Sequence, residues 1–169
     1  MGKTVDYYFF MLSPFAYLGS RELERLLRTY GARVNVKPVK VQTVFEETGG
    51  VPPAQRAKPR QDYRFVEMER WANERAMPLT LQPRYFPVND DLSAGAVYAA
   101  ARLGGDPLTL AHHLLAACWV EQQDISDPDT VRLAAEDTGH DGHQLVDAAQ
   151  ETAAQQAFRD TTREAIDRG

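Results

Sequence analysis

The chain has 169 residues, 43% of them hydrophobic and 25% charged, a globular balance whose length suits one domain with room for a sizeable insertion. The net charge is -5 with no clustered basic footprint, which argues against a nucleic-acid partner. No apolar run approaches the roughly 20 residues that span a bilayer, and the single cysteine, Cys118, forbids an internal disulfide, so the expected compartment is the reducing cytoplasm.

The N-terminus, MGKTVDYYFF, carries one basic residue and lacks the length and cleavage site of a signal peptide. Val5 to Leu12 follows as a continuous aromatic and aliphatic run. Such a run predicts a strand buried on both faces, the habit of parallel sheets. Pro14 to Tyr30 places Phe15, Leu18, Leu23, Leu26 and Leu27 on one helical stripe. Gly31 then sits where a helix C-terminus accepts a left-handed residue. Arg33 to Val41 alternates Val34, Val36, Val39 and Val41 with polar residues, interrupted by Pro38, and predicts a second strand with a bend or an edge position. Strand, helix and strand make a βαβ unit with a right-handed crossover.

Glu46 to Arg60, "EETGGVPPAQRAKPR", is a Gly/Pro-rich loop region. Helices are predicted over Gln61–Arg75, Leu92–Leu103, Pro107–Gln122, Pro128–Asp137 and from Gly142 onward. Asp106-Pro107 and Asp127-Pro128 each pair an N-cap with a first-turn proline, and Gly104 and Gly139 are stops. Two parallel strands cannot form a stable sheet alone, so further strands or another chain must cover their edges.

Ser13-Pro14 can be read in two ways. As local pattern it is one more N-cap and first-turn proline. As position it lies at the carboxyl end of the first strand, where open α/β sheets gather ligands, and at a helix N-terminus that favours anions. A thiolate held there would have its pKa lowered, and the serine hydroxyl could donate one more hydrogen bond to it.

"DYYFFMLSPFAYLG" resembles the opening of 2-hydroxychromene-2-carboxylate isomerases and kappa-class glutathione transferases, thioredoxin-fold relatives of the DsbA oxidoreductases. "TGGVPPAQRAKPRQDYRFVEMERWANERAMPL" and "RYFPVNDD" are similar to later segments of the same group. The resemblance implies an α/β thioredoxin-like fold with an inserted all-helical domain: residues 1–45 as the βαβ unit, 46–158 as the insert and 159–169 as the start of the return helix. Redox members carry Cys-x-x-Cys where this chain has Ser13, Pro14, Phe15 and Ala16. The resemblance assigns Ser13 to the sulfur of bound glutathione, with Pro14, Phe15 and the basic Lys58 completing the cofactor site. It places Phe86 and Asn89 against the substrate. Gly49-Gly50 stands where relatives often have Gly-Asn, and the family's C-terminal strands and cis-proline turn would lie beyond Gly169.

The function so implied is a glutathione-dependent cis–trans isomerase of aromatic, naphthalene-like catabolism. The alternatives are a kappa-like glutathione transferase on the same site and a truncated, non-catalytic interaction module. The open edge of the first strand would favour a homodimer. No metal is expected: His112-His113 diverge on a helix, and His140-x-x-His143 has no Cys or acidic partner at ligand spacing. Cys118 and the tryptophans Trp71 and Trp119 read as packing, and Arg64, Glu67, Arg70 and Glu74 as an exposed row of helix ion pairs.

Overall fold

The computed structural model describes residues 2–169. Strand β1 (Thr4–Phe9) pairs in parallel with β2 (Arg33–Pro38), Thr4 opposite Arg33 and Phe9 opposite Pro38. Helix α1 (Pro14–Tyr30) connects them. Tyr17 and Leu18 bury its inner face, and the Gly31 cap adopts φ 58°, a left-handed turn open to glycine at little cost.

The strands correct the sequence reading. β1 ends at Phe9, not Leu12, because the chain turns there: Ser13 N–H donates to Phe10 carbonyl at 3.1 Å. Nor is β1 buried on both faces. Thr4, Val5 and Asp6 are exposed, Tyr7 and Tyr8 half-buried, and only Phe9 is buried. The two-stranded sheet explains this, since β1 has a neighbour on one edge alone. β2 stops at Pro38, which has no N–H to continue a ladder. Val39 N–H still reaches Phe9 carbonyl at 2.8 Å.

Where strand and loop were expected, Val41–Thr48 forms helix α2, followed by a single 3₁₀ turn at Pro53–Gln55 and helix α3 (Lys58–Glu74). The start of α2 is tied to the helical half. Lys40 Nζ donates to Asp90 Oδ1 at 2.8 Å and to Asp91 Oδ1 at 2.6 Å. Lys40 feels burial working against its charge, but the bonds to Asp90 and Asp91 overcome it and hold the amine above its ordinary pKa. At Asp90, nearly fully buried, burial outweighs the lysine and lifts the carboxyl above its usual range.

The remaining helices are α4 (Asp91–Arg102), α5 (Pro107–Trp119), α6 (Pro128–Asp137), α7 (Gly142–Gln150) and α8 (Thr152–Arg168). Asp106, Asp127 and Asp141 cap α5, α6 and α7 with their side chains. Glu151 separates α7 from α8, so α8 is one continuous helix across residues 158 and 159. α4 is the central rod and packs against α5, α6, α7, α8 and β2. Its alanine face allows this close packing, and a Cβ on Gly95 would collide with the Ala149 carbonyl oxygen of α7. Leu110, Leu114, Leu115 and Trp119 of α5 fill the helical core, each large side chain contributing on the order of 1.5–3 kcal/mol on burial.

α8 returns to the sheet. Lys37 Nζ on β2 bonds Glu164 at 2.8 Å and Tyr8 Oη at 3.1 Å, and Tyr98 Oη donates to Pro38 carbonyl at 2.8 Å. All described sulfur atoms are interior: Met11, Met68, Met77 and Cys118 are buried. No helix among the described residues is long and apolar enough to cross a membrane.

Candidate active site

Ser13 is the residue on which both sequence readings converge, and the structure satisfies the first without spending the group. Ala16 N–H donates to Ser13 Oγ at 3.1 Å, so the hydroxyl caps α1 as an acceptor. Its own proton has no acceptor among the described residues and remains available to a ligand. Pro14 has no N–H, and Ala16 N–H is taken by the cap. Phe15 N–H, at the second helical position, is an orphan donor beside the hydroxyl. The helix start therefore offers two donors and its partial positive charge.

Ser13, only 9% exposed, lies between two hollows. One, of about 340 Å³, is aromatic and lies along the open side of β1, with Tyr7, Phe9, Phe10 and Phe15 in its walls. The other, of about 440 Å³, opens toward α2 and α3. Phe10, Ser13 and Phe15 form one wall, and Arg56, Arg60 and Arg64 the other. Phe45 of α2 and Glu67 of α3 also line it. Among the described residues none of the three arginines has an acidic partner within ion-pair distance. Arg56 Nε donates to Val51 carbonyl at 2.8 Å.

Pro14 and Phe15 lie in the cleft with Ser13. Lys58 does not: it is exposed at the first position of α3 and pairs with Asp62 one turn on. Its neighbour Arg60 lines the cleft instead. Phe86 and Asn89 are also outside the two hollows. Phe86 stands on Trp119 with ring centres 4.9 Å apart, and Asn89 Oδ1 accepts from Asp91 N–H at 2.8 Å, holding the turn into α4. Gly50 has a steric reason to lack a side chain, since a Cβ there would overlap the Phe45 ring.

The expected row of ion pairs on α3 is absent among the described residues: Arg64 and Glu67 are half-buried in the cleft wall and unpaired. The four-residue spacing of Arg60 and Arg64 on one helix was the signal for a basic face, and the assignment of Arg64 to solvent hid it. His112 and His140 are held by internal hydrogen bonds. Ser20 Oγ donates to Tyr17 carbonyl and meets His112 Nδ1 at 2.7 Å, so the ring donates through Nδ1. His140 Nδ1 meets Thr138 Oγ1 at 2.9 Å. Among the described residues no three His, Cys, Asp or Glu side chains are grouped to hold a metal. Burial pushes the Cys118 thiol up to about 12, so it is no nucleophile at neutral pH.

A parallel βαβ unit joined to a helical block is in keeping with a thioredoxin-type fold. The chain belongs to the DSBA-like thioredoxin domain family, whose family model matches residues 4–169. Within that class its kinship is to isomerases. It is 30% identical to 2-hydroxychromene-2-carboxylate isomerase from Sphingobium xenophagum over 171 residues, covering 100% of this chain and 85% of the relative. It is 28% identical to the isomerase of the same name from Pseudomonas putida, covering 97% of this chain and 79% of that one. Among solved structures, a 2-hydroxychromene-2-carboxylate isomerase superposes with a TM-score of 0.79 at 24% identity, over 98% of this chain and 80% of the other. The cytosolic disulfide reductase DsbM from Pseudomonas aeruginosa, solved with GSH, gives 0.72 at 19% identity over 98% and 80%. These two likenesses establish the shared fold, and the sequence relatives support an isomerase.

Proposed function

We propose that the chain is a glutathione-dependent cis–trans isomerase acting on a 2-hydroxychromene-2-carboxylate-type substrate. The observation that carries this reading is the Ser13 hydroxyl, which caps α1 as an acceptor and keeps its proton for a ligand in a cleft walled by arginines. The donor set suits a thiol tripeptide with two carboxylates. Arg60 would take a carboxylate end, and Ser13 Oγ–H and Phe15 N–H would meet the sulfur. At about 440 Å³ the cleft lies within the usual range for small-molecule sites.

Bound glutathione would supply the thiolate that adds to a conjugated double bond, lets it turn as a single bond, and leaves again. The residues of the chain do the rest. Ser13 donates to the sulfur and, with the helix head, favours its anionic form. Phe10 and Phe15 give the flat apolar substrate a surface and exclude water. The absence of cysteine from the Ser13–Ala16 turn removes the protein thiol that disulfide exchange requires.

The test is the acidity of the bound thiol. A hydrogen bond to a charged sulfur worth roughly 1.5–3 kcal/mol lowers its pKa by about one to two units. Ser13→Ala is expected to raise the ultraviolet-detected thiolate midpoint by that amount, and an unchanged midpoint removes Ser13 from the mechanism. Product analysis separates isomerase from transferase: an isomerase leaves total free thiol constant over many turnovers.

A further inference from the structure

Arg64 is a cation of the cleft with no acidic partner within ion-pair distance among the described residues. It lies one turn beyond Arg60 on α3, half-buried, in the wall that faces Ser13. Its charge faces Arg56 on the preceding loop and Arg60 and Glu67 on its own helix. Glu67 does not pair with it, and Lys58 and Asp62 satisfy each other outside the cleft. Partial burial, followed by the charge of Arg56, pulls the Arg64 guanidinium below its ordinary pKa. A guanidinium stays protonated in proteins, so the folded state bears this cost, and an anion bound between the two arginines would relieve it.

Resting on the reading above, we propose that Arg64, with Arg56 beside it, is the seat for the carboxylate of the second substrate, an aromatic-derived acid. The planar guanidinium can grip both carboxylate oxygens, which fixes the orientation of the acid as well as its place. The apolar part of the acid then extends toward Phe10 and Phe15, with its reactive carbon beside the sulfur held at Ser13. Arg60 is left for glutathione. Arg64 thereby determines specificity: it selects acids over neutral compounds of the same shape.

Salicylate, an aromatic hydroxy acid with no thiol, is the probe. Calorimetric titration of the full chain at low salt is expected to detect binding. Arg64→Met should weaken it about tenfold, the loss of roughly 1.4 kcal/mol. Arg64→Lys, which keeps the charge and loses the fork, should weaken it less. Urea denaturation of each variant checks that it is folded. The same variants are titrated with glutathione, whose affinity is expected to fall by less than that for salicylate. Failure of wild type to bind salicylate, equal binding by Arg64→Met, or a matching loss of glutathione in that variant would overturn the assignment. If salicylate binding depends on Arg64 while wild type ignores glutathione, the carboxylate seat stands and the isomerase reading falls.

Discussion

Ser13 carries two duties through one oxygen, and they can be separated. Removing the hydroxyl with alanine costs the α1 cap as well as the donor, about 0.5–2 kcal/mol of stability for the cap alone. Glycine is tolerated at an N-cap at a cost of only a few tenths of a kcal/mol. Ser13→Gly is therefore expected to hold its urea midpoint close to wild type, while Ser13→Ala falls. On the proposed reading both lose the thiolate stabilisation equally. Equal destabilisation by the two substitutions would show that the oxygen does more for the fold than cap one helix. The serine was legible as a cap from its place between strand and helix, the same place that carries its proposed role. Arg60 was not, because the choice between Lys58 and Arg60 turns on where the 3₁₀ turn at Pro53–Gln55 releases the chain into α3.

At the scale of elements, the seam between α1 and α5 carries a titratable joint. His112 on α5 lies against Tyr17 and Ser20 of α1, with Glu24, Arg21 and His113 as the charged groups that act on it. Burial is the largest influence and lowers its pKa below the ordinary 6.5; Glu24 opposes this, and His113 and Arg21 add to it. The unfolded chain therefore binds the proton more readily than the folded one. Stability from this group is complete above about pH 6.5 and is lost as pH falls from there through the lower folded value. The urea midpoint should drop between about pH 7.5 and 5.5, and His112→Gln should flatten that part of the profile. A profile indifferent to the substitution would assign the acid sensitivity elsewhere. Elements with capped starts, α1, α5 and α6, were legible to the residue, since Ser or Asp before Pro leaves little choice. α2 was not. Val41, Thr43, Val44 and Phe45 favour strand by composition, and what makes them helical is long-range: Lys40 is held by Asp90 and Asp91, and its N–H donates to Thr162 Oγ1 at 2.9 Å. The exposure of β1 was equally hidden, since an aromatic run states a capacity for burial and not the presence of a covering layer.

Across the whole molecule, net charge and local charge have opposite signs. The chain carries -5, yet its candidate site gathers three arginines against one glutamate. Salt decides which field a ligand feels, because exposed charges are screened beyond roughly 10 Å at 0.1 M. On the proposed reading, raising salt from about 0.02 to 0.3 M should weaken glutathione binding several-fold. Stronger binding at high salt would mean that the overall negative charge governs and Arg60 does not hold the ligand. The global outline, a βαβ start followed by a helical block, was readable from periodicity and capping, whereas the arginine wall needed the fold of the 49–57 segment to bring it opposite Ser13. The burial of Met11, Met68, Met77 and Cys118 has one last effect. A peroxide or an alkylating electrophile meets no accessible sulfur on any described part of the folded polypeptide. Oxidative challenge should thus spare the scaffold itself, and whatever vulnerability remains would belong to small thiols dissolved around it.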